Sequence, residues 1–126
     1  MPDKSIRILV VDSLSTMRMI VKDILKQLGY KNIILAEDGS SASSLLKKEK
    51  IDFIISEWDM PKMSGLDLLK SIRSDETLKS IPFLMVTGEA KKENIISAAK
   101  AGVNDCIVKP FTAETLKEKI DKIFTN

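Results

Sequence analysis

The sequence predicts an α/β protein in which five parallel strands form a doubly wound sheet with helices on both faces. Short aliphatic runs alternate with longer segments whose apolar residues recur at spacings of three and four, and this alternation repeats five times. No Gly/Ser/Pro-rich linker and no fixed-period repeat interrupts it. Units of this kind connect through right-handed crossovers, so we expect one domain spanning residues 1–126.

The first half of the chain begins with the clearest strand and the clearest helix. Residues 6–11 (IRILVV) form a nearly continuous apolar run, which is typical of a strand covered on both faces. Ser15 is placed to cap the following helix, and Gly29 is placed to end it in a left-handed conformation. The apolar positions of this helix are Met17, Ile20, Val21, Ile24, Leu25 and Leu28. The next predicted elements are a strand at 33–36, a weaker helix at 40–48 with Ala42, Leu45 and Leu46 facing inward, and a strand at 53–56.

The second half continues the same pattern. A third helix begins near Ser64, and Pro82 precedes a fourth strand at 83–86. A fourth helix ends at Gly102, and residues 105–108 form the fifth strand before a last helix. The apolar positions that mark these helices are Leu66, Leu69 and Ile72, then Ile95, Ile96, Ala98 and Ala99, then Leu116, Ile120, Ile123 and Phe124.

Composition excludes several classes of function. The net charge of +2 arises from acidic and basic residues mixed along the chain, so it predicts neither a nucleic-acid footprint nor a membrane-binding patch. Cys106 is the single cysteine, which rules out an internal disulfide, and a chain without histidine lacks the usual zinc sites. The N-terminus has no secretory leader pattern and no apolar run approaches membrane-spanning length, so we expect a cytoplasmic protein.

Polar residues follow four of the predicted strands. They are Asp12 and Ser13, then Glu57 to Asp59, then Thr87, and finally Lys109. Ligands of doubly wound sheets bind beyond the carboxyl ends of the strands, so these side chains are expected to converge. Carboxylates suit a hard cation, while a hydroxyl and an ammonium suit phosphoryl oxygens. Taken singly, Asp12 could be a helix cap, Thr87 a turn residue and Lys109 a surface lysine; their joint placement favours a site.

Five segments resemble the receiver domain of bacterial two-component response regulators, and most closely the stand-alone chemotaxis receivers of the CheY kind. They are VVD at 10–12, STMR at 15–18, WDMPKMSG at 58–65, VTG at 86–88 and VKPF at 108–111. The resemblance covers essentially the whole chain and implies a flavodoxin-like (βα)5 fold with strand order 2-1-3-4-5. It leaves no room in these residues for an output domain.

The resemblance also implies a chemistry. In this family an aspartate after the third strand accepts a phosphoryl group from a histidine kinase, and magnesium is held by two acids after the first strand. Thr87 and Lys109 match the positions that contact the phosphoryl oxygens, and the Lys109–Pro110 bond is expected to be cis as is usual in the family.

Three residues depart from the family pattern at positions that serve activation. Glu57 stands at the position of the family's acceptor aspartate, and Ser13 replaces the second acid. The family has two switch positions; Thr87 occupies one, and Cys106 occupies the other, which is usually aromatic. Serine is a poor magnesium ligand, so Mg²⁺ is not required and any binding through Asp12, Glu57 and Asp59 should be weak. The longer Glu57 side chain should be a poor acceptor and is long enough to pair with Lys109.

These departures leave two main hypotheses open. The first is an interaction module that works with little or no aspartyl phosphorylation and is not an enzyme. The second is a receiver that still takes a phosphoryl group on Glu57 or Asp59 with Mg²⁺, for which the retained Asp12, Thr87 and Lys109 argue. Ser13 and Cys106 disfavour a third explanation, in which Glu57 was introduced by design to imitate activation. An unrelated flavodoxin-like cofactor binder is disfavoured because no glycine-rich first loop is present.

The resemblance implies protein partners, namely a histidine kinase and a motor, switch or other signalling protein. The face formed by the fourth and fifth helices is the expected contact surface, and Lys91 and Lys92 are candidates for it. Lys117, Lys119 and Lys122 are expected on the solvated face of the last helix, so no nucleic acid and no membrane is expected as a partner.

Overall fold

The computed structural model describes residues 2–89 and 91–125, in which strands and helices alternate along the chain. The strands are β1 (Arg7–Val11), β2 (Asn32–Ala36), β3 (Phe53–Glu57), β4 (Phe83–Thr87) and β5 (Asp105–Val108). The helices are α1 (Ser15–Gln27), α2 (Gly39–Lys48), α3 (Gly65–Arg73), α4 (Lys92–Lys100) and α5 (Ala113–Phe124). No helix of the described residues is long and apolar enough to cross a membrane.

All strand pairs are parallel, and the sheet order is β2-β1-β3-β4-β5. The predicted fold class and strand order are therefore confirmed. In the register, Val11 pairs with Ala36 and Ser56, while Glu57 pairs with Val86. The carboxyl ends of β1, β3 and β4 consequently meet at one edge of the sheet. Glu57 and Thr87 were predicted to follow strands that end at residues 56 and 86, but each is the last residue of its strand, so these two strands are one residue longer than predicted.

The sheet separates two hydrophobic cores. One core joins the central strands to α1 and α5, through side chains such as Leu25 and Leu116. The other joins the opposite face to α2 and α3, through side chains such as Leu46 and Leu69. Because both faces are covered, every residue of β3 and β4 is buried. This packing fixes the sheet edge from which the polar side chains project.

The helix ends show which local predictions were right. Gly29 follows α1 with φ of +100°, so its predicted left-handed conformation is confirmed. Gly102 follows α4, as predicted, and its φ of +92° is also left-handed. The prediction that Ser15 caps α1 is wrong, because Leu14 occupies the cap position and makes no side-chain cap hydrogen bond. The Asp12 carboxylate accepts the Leu14 amide hydrogen instead, and so closes the turn one step earlier.

Helix α4 buries little of its apolar surface. Ile95 and Ile96, whose spacing helped to predict this helix, are each 44% exposed, and Ala98 is the residue that is fully buried. A short helix that faces the sheet along one narrow stripe leaves flanking aliphatic side chains in solvent. The exposed isoleucines therefore belong to the surface and not to the core.

Candidate functional site

Four polar side chains converge at the carboxyl edge of the sheet. Asp12, Glu57 and Thr87 are 4%, 6% and 7% exposed, although charged side chains are seldom buried this deeply. Lys109, which follows β5, places its Nζ atom 2.9 Å from Glu57 Oε2 and 4.0 Å from Asp12 Oδ2. The Lys109–Pro110 peptide bond is cis, as predicted. The structure thus brings together an acidic pair and one ammonium group.

The Glu57 carboxylate is held mainly by charge. Its Oε2 atom is buried, and no hydrogen bond within residues 2–89 and 91–125 is directed at it despite the short distance to Lys109. Burial raises the pKa of Glu57 above its usual 4.5, Lys109 opposes that rise, and the nearby charges of Asp12 and Asp59 add to it. The Glu57–Lys109 ion pair expected from side-chain length is present.

Three hydrogen bonds position Asp12, which directly follows β1. Its backbone amide donates to Ala36 O at 3.2 Å, and its Oδ1 atom accepts from the Leu14 amide at 2.9 Å. Arg18 Nη1 donates to the Asp12 carbonyl oxygen at 2.7 Å. One carboxylate oxygen is therefore occupied by the turn, and Oδ2 is the oxygen that faces Lys109. Sequence reasoning missed the contact of Arg18, because a carbonyl partner leaves no pattern in the sequence.

Thr87 uses its hydroxyl within the turn that leaves β4. Oγ1 donates to Glu89 O at 2.8 Å and accepts from the Glu89 amide at 3.2 Å. An adjoining polar cleft of about 390 Å³ is bounded by Trp58, Asp59, Thr87, Gly88, Glu89, Lys91 and Asn94. Lys91 forms an exposed ion pair with Glu89 at 3.2 Å. The threonine is thus at the predicted position, and its hydroxyl is satisfied locally by the β4–α4 turn.

The other predicted ligand positions lie on the surface. Ser13 and Asp59 are both exposed, and Asp59 lines the polar cleft. In the part of the chain that the structure describes, no group of three or more acidic or cysteine side chains is placed to hold a metal ion. The carboxylates of Asp12 and Glu57 both lie within ion-pair distance of Lys109. The proposed metal ligands Asp12, Glu57 and Asp59 stay a prediction.

Cys106 lies in β5 and is half-buried against the core that contains α2 and α3. Burial, and secondarily the charge of Asp105, raises the pKa of the Cys106 thiol, which keeps it protonated. This environment fits a structural thiol. A part for Cys106 in switching stays a prediction.

The turn after β3 brings the backbone of α3 close to the site. Trp58 N donates to Val86 O at 2.8 Å, and Gly65 N donates to Trp58 O at 2.8 Å. A Cβ atom at Gly65 would overlap the Glu57 carbonyl oxygen. The loop can therefore close only because α3 begins with a glycine.

Lys62 in this turn has φ of +68°, with Met63 N donating to Pro61 O at 2.7 Å across it. Positive φ is costly for a residue with a Cβ atom. Lys62→Gly should therefore have a free energy of unfolding about 1 kcal/mol higher than Lys62→Ala in urea denaturation. Alanine is the matched control because both variants remove the lysine side chain; equal stability of the two would contradict strain at this position.

Comparison with known proteins identifies the family. Residues 8–121 match the family model described as response regulator receiver domain. The chain is 59% identical to chemotaxis protein CheY-3 of Vibrio cholerae serotype O1 over 97% of this chain and 94% of that protein. It is 54% identical to chemotaxis protein CheY of Pseudomonas aeruginosa over 94% of this chain and 95% of that protein.

Solved structures agree with this assignment. The chemotaxis protein CheY4 of Vibrio cholerae superposes with a TM-score of 0.89 at 32% identity, covering 95% of this chain and 99% of that chain. A putative response regulator from Chloroflexus aurantiacus superposes with a TM-score of 0.90 at 27% identity, covering 97% of this chain and 99% of that chain. The chain belongs to the response regulator receiver domain family. Within it, the chain is a CheY-like receiver of two-component signal transduction, a family of signalling proteins that contact kinases and other proteins.

Proposed function

We propose that this protein is an atypical CheY-like receiver that signals by protein–protein interaction, with little or no phosphorylation of a carboxylate. The observation that carries this proposal is the contact of 2.9 Å between Glu57 and Lys109. The residue at the acceptor position is already paired with the lysine that would contact the phosphoryl group. Ser13, at the position of the second acid, is exposed and carries no charge.

Geometry supports weak phosphoryl transfer at Glu57. Transfer depends on an in-line approach of the attacking oxygen, and displacement by about an ångström costs about a hundredfold in rate. The extra methylene of glutamate displaces the carboxylate, and the 6% exposure of Glu57 leaves it little access to a donor. A carboxylate also carries a charge of about −1 where a phosphoryl group carries about −1.5 to −2, so the ion pair imitates the activated state incompletely.

The face of α4, β5 and α5 supplies an exposed surface for a protein partner. Ile95, Ile96 and Val108 are each more than two-fifths exposed, and apolar residues rimmed by charge are typical of protein contact sites. Lys91 and Lys92 are exposed beside them, whereas Lys119 is half-buried in an ion pair with Asp105 at 3.2 Å. We propose a cytoplasmic chemotaxis-type pathway, because the relatives that are 54% and 59% identical are named chemotaxis proteins. A histidine kinase or a motor or switch protein is the proposed partner, as the resemblance to CheY-like receivers implies.

A second candidate function is favoured by the retained Asp12, Thr87 and Lys109. In that case the protein takes a phosphoryl group on Glu57 or Asp59 with Mg²⁺ and releases it by its own hydrolysis. Beryllofluoride with Mg²⁺ distinguishes the two, because Trp58 borders the cleft beside Thr87 and should report binding by a change in fluorescence. An unchanged Trp58 signal would argue against the phosphorylated form.

The decisive experiment is incubation with a small-molecule phosphodonor and Mg²⁺, followed by intact-mass measurement. We expect no stoichiometric phosphoryl adduct on the wild-type protein, because the acceptor is displaced and paired with Lys109. The double variant Glu57→Asp with Ser13→Asp should take one phosphoryl group, and the two single variants serve as matched controls. A stoichiometric adduct on wild-type Glu57 or Asp59 would overturn the proposal.

A further inference from the structure

We infer that the Lys109 ammonium is the resident counter-cation of the Asp12–Glu57 pocket and takes the place of a divalent metal ion there. The pocket of this chain should therefore bind Mg²⁺ only after Lys109 is removed or a further acid is added. This inference deepens the proposed function and rests on it for its biological meaning. A receiver that presents its partner surface without phosphoryl transfer has no need of a metal ion in this pocket.

The first argument is the position of the ammonium group. Lys109 Nζ lies 2.9 Å from Glu57 Oε2 and 4.0 Å from Asp12 Oδ2, so one ammonium group is within ion-pair distance of both carboxylates. Its side chain is 20% exposed and those of the acids 6% and 7%, so the three charges are screened little by solvent. Lys109 is the one cationic side chain in the described ranges within ion-pair distance of either acid.

The second argument is the set of donors that remains. Mg²⁺ requires a nearly octahedral shell of oxygen atoms at close distances and is usually held by carboxylates. Oδ1 of Asp12 already accepts the Leu14 amide hydrogen, and Oε2 of Glu57 faces Lys109. Ser13 is exposed and has no charge to add. The residues present therefore do not form a magnesium site.

The third argument is charge. The buried groups, two carboxylates and one ammonium, carry a single net negative charge, which a divalent ion would overcompensate. The charge of Asp59 also acts on Glu57, but Asp59 is exposed and solvent screens it more. An aspartate at position 13 would add a second negative charge beside Asp12 and would favour a divalent cation. The charge at position 13 therefore decides between a lysine-neutralised pocket and a metal-binding pocket.

The test is a titration of the full chain with MgCl₂ at constant ionic strength, followed by calorimetry and by Trp58 fluorescence. We expect no saturable binding to the wild-type protein up to about 10 mM Mg²⁺, which is above the range of weak carboxylate sites. Ser13→Asp and Lys109→Met should each bind Mg²⁺ at least about tenfold more tightly than the wild type. Lys119→Met, which removes a lysine from the separate ion pair with Asp105, should behave as the wild type.

Three results would overturn the inference. They are saturable binding of Mg²⁺ by the wild type below about 10 mM, no gain in affinity on Ser13→Asp or on a folded Lys109→Met, and a gain on Lys119→Met equal to that on Lys109→Met. Ser13 is exposed, so Ser13→Asp tests the pocket even if the lysine variant folds poorly. The phosphodonor assay is a separate measurement. If the wild-type protein forms an adduct but does not bind free Mg²⁺, the proposed function alone is overturned. If the wild-type protein binds Mg²⁺ but forms no adduct, this inference alone is overturned.

Discussion

Replacing Gly65 with alanine should lower the free energy of unfolding by about 3 kcal/mol, the upper range for overpacking a rigid site. The new Cβ atom would overlap the Glu57 carbonyl oxygen and approach Met85 Sδ to 2.9 Å. Glu57 is the last residue of a fully buried central strand, so its carbonyl group cannot move aside without disturbing the pairing with β4. Urea denaturation followed by circular dichroism measures the loss.

Gly88 provides a matched control for this change. It also lies at the carboxyl edge of the sheet, but a Cβ atom there would meet no heavy atom within 4 Å. Gly88→Ala should therefore change stability by less than about 0.5 kcal/mol. Equal effects of the two substitutions would show that the close approach of α3 to the end of β3 does not constrain the site.

Replacing Lys109 with methionine should cost about 3 kcal/mol at neutral pH, because it leaves the Glu57 carboxylate buried without its cation. The loss should depend on pH. Burial raises the folded-state pKa of Glu57 above the usual 4.5. At a pH between the unfolded-state pKa and the folded-state pKa, the folded protein therefore holds a proton that the unfolded chain has released. Stability arising from this group therefore falls as pH rises through that window.

Lys109 opposes the rise in the Glu57 pKa, so removing the lysine extends this pH window to higher pH. The destabilisation by Lys109→Met should be larger at about pH 7.5 than at about pH 5, and Glu57→Gln in the same chain should remove most of this difference. Lys119→Met is the control, since its partly exposed pair with Asp105 should contribute below about 1 kcal/mol. A pH-independent loss would mean that Lys109 acts through packing and not through charge.

The architecture was predictable because each element carries its own local pattern. The apolar runs 6–11 and 53–56 indicate central strands, and Gly29 and Gly102 mark the ends of helices. The strand order followed from the family resemblance, and the sheet confirms it. Local patterns were less reliable where two side-chain acceptors are available to one turn. Ser15 was predicted to cap α1, but Leu14 holds the cap position and the Asp12 carboxylate accepts the hydrogen bond that closes the turn.

The candidate site was predictable in its members and not in their contacts. Asp12, Glu57, Thr87 and Lys109 follow from strand ends, because parallel strands place their carboxyl ends together. The engagement of Thr87 with Glu89 and of Arg18 with the Asp12 carbonyl involves backbone atoms, which carry no residue-specific signal. The exposure of Ile95 and Ile96 depends on how α4 lies over the sheet.

The sequence by itself determined the receiver fold, the chemical types at the sheet edge, and the three departures Glu57, Ser13 and Cys106. The alternation of strands and helices and the residue types at the strand ends follow from residue order, whereas the strand order and the three departures follow from the resemblance to the receiver family. The tertiary structure decided that Glu57 Oε2 is buried with no hydrogen bond from the residues that the structure describes, and that Lys109 Nζ lies 2.9 Å from it and 4.0 Å from Asp12 Oδ2. Burial and charge proximity arise only when separate strands are packed, and they determine which cation the pocket holds.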